Sequence, residues 1–124
     1  MKPAMNGTIQ KLTGVINSKK DWKVIKEFDF QKNILDAGFD KIERVGSLAL
    51  CNPKYASMIL AEEPNRKVTS IMPLKLGIFE KKNGQVYVSE LNIGLMGLMS
   101  GGTIAKVMSV AGKDVKEIIV SATK

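Results

Sequence analysis

The sequence contains no histidine. That absence removes the usual general base near neutral pH and the commonest transition-metal ligand. Ser-His-Asp triads, Cys-His dyads and histidine-containing zinc sites are excluded. Cysteine occurs once, at Cys51. A single thiol can close no internal disulfide and build no cysteine-only metal site within one chain, and it suits a reducing compartment. Arginine is confined to Arg44 and Arg66, so the residue best fitted to bidentate phosphate and guanine contacts is nearly missing. No stretch approaches the roughly 20 continuous apolar residues of a membrane span, and Met1–Gly7 has no signal-type apolar run. The resulting expectation is a cytoplasmic protein with no membrane span, no metal site and no recognisable catalytic constellation. No cofactor is indicated.

What is present describes an ordinary globular chain. Its 124 residues, 44% hydrophobic and 25% charged, predict one domain over residues 1–124 that folds without a structural metal. The net charge of +7 brings anionic partners into consideration. The lysines, however, stand singly or in pairs along the chain. A generally solvated basic surface therefore competes with a dedicated nucleic-acid site.

Periodicity supplies the elements. Met5, Ile9, Leu12 and Ile16 share one helical face. Trp22, Val24, Lys26, Phe28 and Phe30 then alternate as in a strand, with the aromatic face expected inward. A short helical element over Gln31–Ala37 is closed by Gly38. A second strand is predicted over Glu43–Cys51, and its apolar end marks a central strand. Asn52-Pro53 reads as an N-cap followed by a first-turn proline. The helix it starts runs to about Glu62, with Ala56, Ile59 and Leu60 on its core face and Pro64 as its stop. A polar loop through Arg66 leads to Met72, Leu74, Leu76 and Ile78, which alternate up to an Asn83-Gly84 hairpin turn expected to be type I′.

The last third is rich in glycine and methionine, then helical. Ile104, Val107, Met108, Ala111, Val115, Ile118, Ile119 and Ala122 keep a helical period. Gly112 leaves one kinked helix and two coaxial helices both open. The order helix, strand, strand, helix, hairpin, long helix predicts an α+β fold: a curved antiparallel β-sheet with helices packed on one face and a long C-terminal helix.

Cys51-Asn52-Pro53-Lys54-Tyr55-Ala56, then Met72-Pro73, then a strand ending in Phe79-Glu80 before the Asn83-Gly84 hairpin form an ordered set of motifs. With Ile34-Leu35-Asp36-Ala37-Gly38-Phe39 ahead of them, they resemble the domain of unknown function 302 (DUF302) family over roughly Trp22–Val120. The resemblance implies an α+β fold with a curved antiparallel sheet gripped by helices, and a homodimer. It implies no established activity; some members sit beside sulfur-metabolism proteins. Members often carry a second cysteine where this chain has Leu74, which leaves one thiol per chain. Members also usually begin with a strand, whereas only Met1–Met5 precedes the first helix here. A sheet one strand short, with an edge that a partner can cover, is the expectation.

Cys51 lies where a strand hands over to a helix start, whose dipole and free amides favour a thiolate. Lys54 adds a nearby positive charge. Against a reactive thiol stands a plain reading: a small buried residue ending a core strand. Ser100-Gly101-Gly102-Thr103 precedes the long helix as an anion cradle would, yet the lysine of a phosphate loop is replaced by Thr103. A turn is the better reading. Met58, Met72, Met96, Met99 and Met108 read as core filling. The run Ile93–Met99 suits either a subunit interface or internal burial. Glu62-Glu63 and Asp114 with Glu117 read as solvated faces.

Three functions follow. The first is a small non-enzymatic binding or accessory module, with an association to sulfur or redox metabolism that the family resemblance implies. It would be homodimeric, with a cleft between sheet and long helix, an unidentified small ligand or protein partner, and a surface around Cys51, Asn52, Tyr55, Met72 and Pro73. The second is a thiol-dependent sulfur carrier or redox sensor acting through Cys51. The third is a basic nucleic-acid-binding protein.

Overall fold

The structure, a computed structural model, describes residues 4–123; Met1–Pro3 and Lys124 lie outside the described residues. The chain starts with helix α1 (Ala4–Ser18), whose Met5, Leu12 and Ile16 are buried on one face. Strand β1 (Lys23–Asp29) runs into helix α2 (Phe30–Asp36), capped by the Asp29 carboxylate on the Lys32 amide. Strand β2 (Val45–Cys51) is followed by helix α3 (Pro53–Leu60) and a 3-10 segment over Glu63–Ile71. Strands β3 (Leu74–Glu80) and β4 (Val86–Ser89) form the hairpin, and α4 (Ile93–Leu98) leads to α5 (Gly102–Ala122). Among the described residues no helix is long and apolar enough to cross a membrane.

The strands pair antiparallel in the order β1-β2-β3-β4, which leaves β1 and β4 as edges. The expected shortage of a strand falls on Met1–Pro3, outside the described residues. β2 is central, as its apolar run predicts, and Gly46–Leu50 are all buried. Leu48 and Leu50 of β2 face α1 and α5 together with Leu76 and Ile78 of β3, in one core with Leu12, Ile16 and Ile118. Burying each such side chain stabilises by about 1.5–3 kcal/mol. The fold is α+β, with the helices that build this core on one face of the sheet.

Four sequence readings change. First, β1 does not keep one alternation: its register slips between Val24 and Lys26. Val24 pairs with Leu50 on the core face, whereas Lys26 pairs with Ala49 and Phe28 with Ser47 on the opposite face. A bulge adds one residue and so switches the side on which every later side chain lies. Trp22 is buried, but Phe28 points away from the core and Phe30 opens α2, 40% exposed.

Second, the hairpin turn is not type I′. Gly84 has φ 84° but Asn83 lies outside the positive-φ region. The Gly84 amide donates to the Lys81 carbonyl and the Lys81 amide donates to the Gln85 carbonyl. That is a three-residue loop with one left-handed glycine. Third, the polar stretch after α3 is the 3-10 segment, and Pro64 sits in its first turn. Fourth, the methionines divide: Met108 is buried and Met72 and Met96 pack on the core, but Met58 and Met99 are exposed.

Gly112 breaks nothing, and α5 is one helix of 21 residues. Its other glycine contact is made by Gly97 of α4, where an added Cβ would meet the Met108 Cβ at 2.7 Å. Ile93 and Gly97 are buried against α5, while Leu95, Leu98 and Met99 of the same run are exposed. Internal burial and an exposed apolar face thus share Ile93–Met99.

Candidate functional site

β3 has seven residues and β4 only four. β4 therefore pairs with Gly77–Glu80 alone and leaves Leu74–Leu76 without a neighbour on that side. A cavity of about 520 Å³ opens beside that free stretch, between the sheet, α3, the 3-10 segment, α4 and α5. Its wall is chiefly apolar, with Trp22, Leu50, Ile59, Met72, Met96 and Met108 among the lining residues. The volume lies in the range of pockets that enclose small molecules.

Cys51, Asn52, Tyr55, Met72 and Pro73, singled out from the sequence, all line this cavity. Asn52 is buried and caps α3: its side-chain oxygen accepts from the Tyr55 amide at 3.1 Å. With Pro53 in the first turn this is the helix start expected from the sequence. The cap fixes Tyr55 one turn in, so that its ring meets Trp22 edge to face with centroids 6.0 Å apart. Cys51 ends β2 opposite Lys23 and is half-buried. The Met72-Pro73 peptide bond is cis.

The residue that sequence reasoning misplaced is Asp114. Instead of a solvated position, its carboxylate accepts from Trp22 Nε1 at 3.0 Å and from the Tyr55 hydroxyl at 2.9 Å. The same oxygen, Oδ2, takes both bonds, so one acid ties the residue leading into β1, α3 and α5 together at the cavity's edge. Burial pushes the Tyr55 phenol above the usual tyrosine range, and the Asp114 bond and charge push the same way. A sequence signal existed: Asp114 precedes Val115 of the apolar stripe, so it borders the packed face. Glu117, by contrast, is exposed and pairs with Lys19 at 2.8 Å.

The turn before α5 is likewise furnished from within. Thr103 Oγ1 donates to the Glu62 carboxylate at 2.8 Å. An acid already stands where a helix start would draw an anion.

A model of the family described as domain of unknown function DUF302 matches residues 2–122. Among solved structures, the chain is similar to one described as the crystal structure of an uncharacterized conserved protein DUF302 from Bacillus stearothermophilus. That likeness has a TM-score of 0.84 at 21% identity and covers 96% of this chain and 91% of the other. At that identity the shared property is the fold. No curated protein matches the chain.

Proposed function

Starting from the fact that the chain belongs to the DUF302 family, we propose that it is a non-enzymatic binding module that holds a small, largely apolar ligand between its sheet and α5. The observation that carries this reading is the cavity of about 520 Å³ with its apolar, methionine-bearing wall. Methionine adapts its shape to irregular ligands. Two polar groups of the lining residues, Trp22 Nε1 and the Tyr55 hydroxyl, are already bonded to Asp114. They hold the wall in shape and favour an occupant recognised by fit and desolvation.

A reducing, cytoplasmic setting belongs to the same reading and is supported by the lone Cys51. So does a homodimer, supported by the exposed Leu95, Leu98 and Met99 on α4. The thiol-dependent alternative rests on the half-buried Cys51 at the cavity wall.

Trp22 is the single tryptophan and lines the cavity, so its fluorescence reports occupancy directly. Titration with anilinonaphthalene sulfonate or with straight-chain alcohols should shift Trp22 emission and saturate. Ala111→Phe and Met96→Phe, which place a ring in the space, should weaken binding about tenfold or more while circular dichroism stays unchanged. An unresponsive Trp22 with every probe up to about 1 mM, the weak end of specific affinity, would overturn the reading.

A further inference from the structure

The face of the sheet turned away from the helical core is built differently from the cavity wall. Strand register sets out its positions in rows. Lys26, Ala49 and Lys75 lie side by side in one row. Phe28, Ser47, Gly77 and Ser89 form the next. Val45, Phe79 and Tyr87 form the third. Neighbouring strands are about 4.8 Å apart and successive rows on one face about 6.7 Å. The floor at the centre is low, because Ala49, Ser47 and Gly77 are small. An added Cβ at Gly77 would run into the Ser89 hydroxyl, which lies over it.

Aromatic rings flank that floor. Phe28 stacks on Phe30 with centroids 5.9 Å apart, and Phe79 on Tyr87 at 5.6 Å. Lysines stand over the rings: Lys26 Nζ is 4.8 Å and Lys75 Nζ 5.7 Å from the Phe28 centroid, and Lys81 Nζ is 4.4 Å from that of Tyr87. No aspartate or glutamate occupies a place in the three rows. In the floor, Ser47 Oγ is buried and has no hydrogen-bond partner among the described residues.

We propose that this open sheet face binds single-stranded nucleic acid, with bases stacking on the Phe28 and Tyr87 sides and Lys26, Lys75 and Lys81 taking phosphates. Rings and cations together supply what an unpaired strand requires once the lysines turn from ring to phosphate: π-faces for bases of any sequence and positive charge for the backbone. Ala49 and Ser47 are buried beneath these side chains, so bases would lie on the rings and lysine stems and not on the floor itself. A second copy of the chain is a poorer occupant, since a two-fold contact here sets lysines against lysines. A duplex keeps its bases stacked internally and offers nothing for the rings. This surface lies on the side of the sheet opposite Leu48 and Leu50, and it meets the cavity only at the free edge of β3, where Lys75, Gly77 and Ser89 border both.

The test is fluorescence anisotropy of a labelled oligothymidylate, an oligouridylate and a duplex of similar length. Single strands should bind best. Three phosphate contacts give a salt slope of about −2, so affinity should drop about 20-fold between about 50 and 200 mM salt. Lys26→Gln with Lys75→Gln should reduce that slope to about −0.7, whereas the matched pair Lys106→Gln with Lys113→Gln on α5 should leave it within twofold. Tyr87→Leu, which keeps an apolar side chain but removes a stacking ring, should weaken single-strand binding about fivefold or more. No binding near 50 mM salt overturns the proposal. Equal loss with both lysine pairs, or equal affinity for duplex and single strand, also overturns it by reducing binding to bulk charge. A dimer that Lys26→Glu dissociates, without oligonucleotide binding, would assign the face to a second copy.

Discussion

Trp22 and Asp114, 92 positions apart in sequence, are joined by a 3.0 Å hydrogen bond from the indole Nε1–H to the carboxylate. The bond locks the residue just before β1 to the middle of α5 across the edge of the cavity. Tyr55 completes the arrangement from α3, with its hydroxyl on the same oxygen.

Asp114→Ala leaves an indole N–H and a phenol without their acceptor. The loss is expected to cost about 2–3 kcal/mol, since both bonds go to a charged acceptor and Trp22 is buried. Asp114→Asn keeps an acceptor oxygen and should cost about 1 kcal/mol. Urea unfolding followed by Trp22 emission checks both; equal midpoints for the wild type and Asp114→Ala would show that the node does not hold the fold.

Tyr55 also sets an alkaline limit. Burial and the Asp114 carboxylate raise its phenol in the folded chain, so the folded state keeps a proton that the unfolded state releases above about pH 10. Stability from this source is complete below that pH and falls as pH rises through and beyond it, because the folded form binds more protons. In a Tyr87→Phe background, which leaves Tyr55 as the sole tyrosine, tyrosinate absorbance should appear later than in the unfolded chain. Tyr55→Phe should flatten the alkaline decline in melting temperature.

Two glycines of the sheet should respond unequally to alanine. At Gly46 an added Cβ would strike the backbone carbonyl of Phe28, which β1–β2 pairing holds in place. At Gly77 it would strike only the Ser89 hydroxyl, which can rotate. Gly46→Ala is expected to cost about 3 kcal/mol and Gly77→Ala about 1 or less. Thermal melts should separate them by several degrees, at roughly 3–6 °C per kcal/mol. Ser89→Ala combined with Gly77→Ala should recover most of the smaller loss.

Much of the site was legible because its signals are local. Asn52-Pro53 starts a helix wherever it is placed, so the capped turn carrying Tyr55 beside Cys51 could be read directly. The lysine-bearing face could not. Lys26, Lys75 and Lys81 are scattered in the chain and look like general solvation; only the register of β1, β2 and β3 brings the first two beside one ring. The slip between Val24 and Lys26 has no sequence mark, since either parity satisfies the same alternating pattern.

Local periodicity and end signals determined α1, α3, the strands and their order, the central place of β2 and the run of α5, because each depends on residues a few positions apart; the 3-10 segment and α4 carried no such signal. The assembled chain alone decided which side of the sheet Phe28 faces, that β4 stops short of Leu74–Leu76, and that Asp114 meets Trp22 and Tyr55. Those outcomes turn on one-residue offsets and on contacts between distant segments. Hydrophobic pattern is the same on either side of such an offset, and only packing distinguishes them.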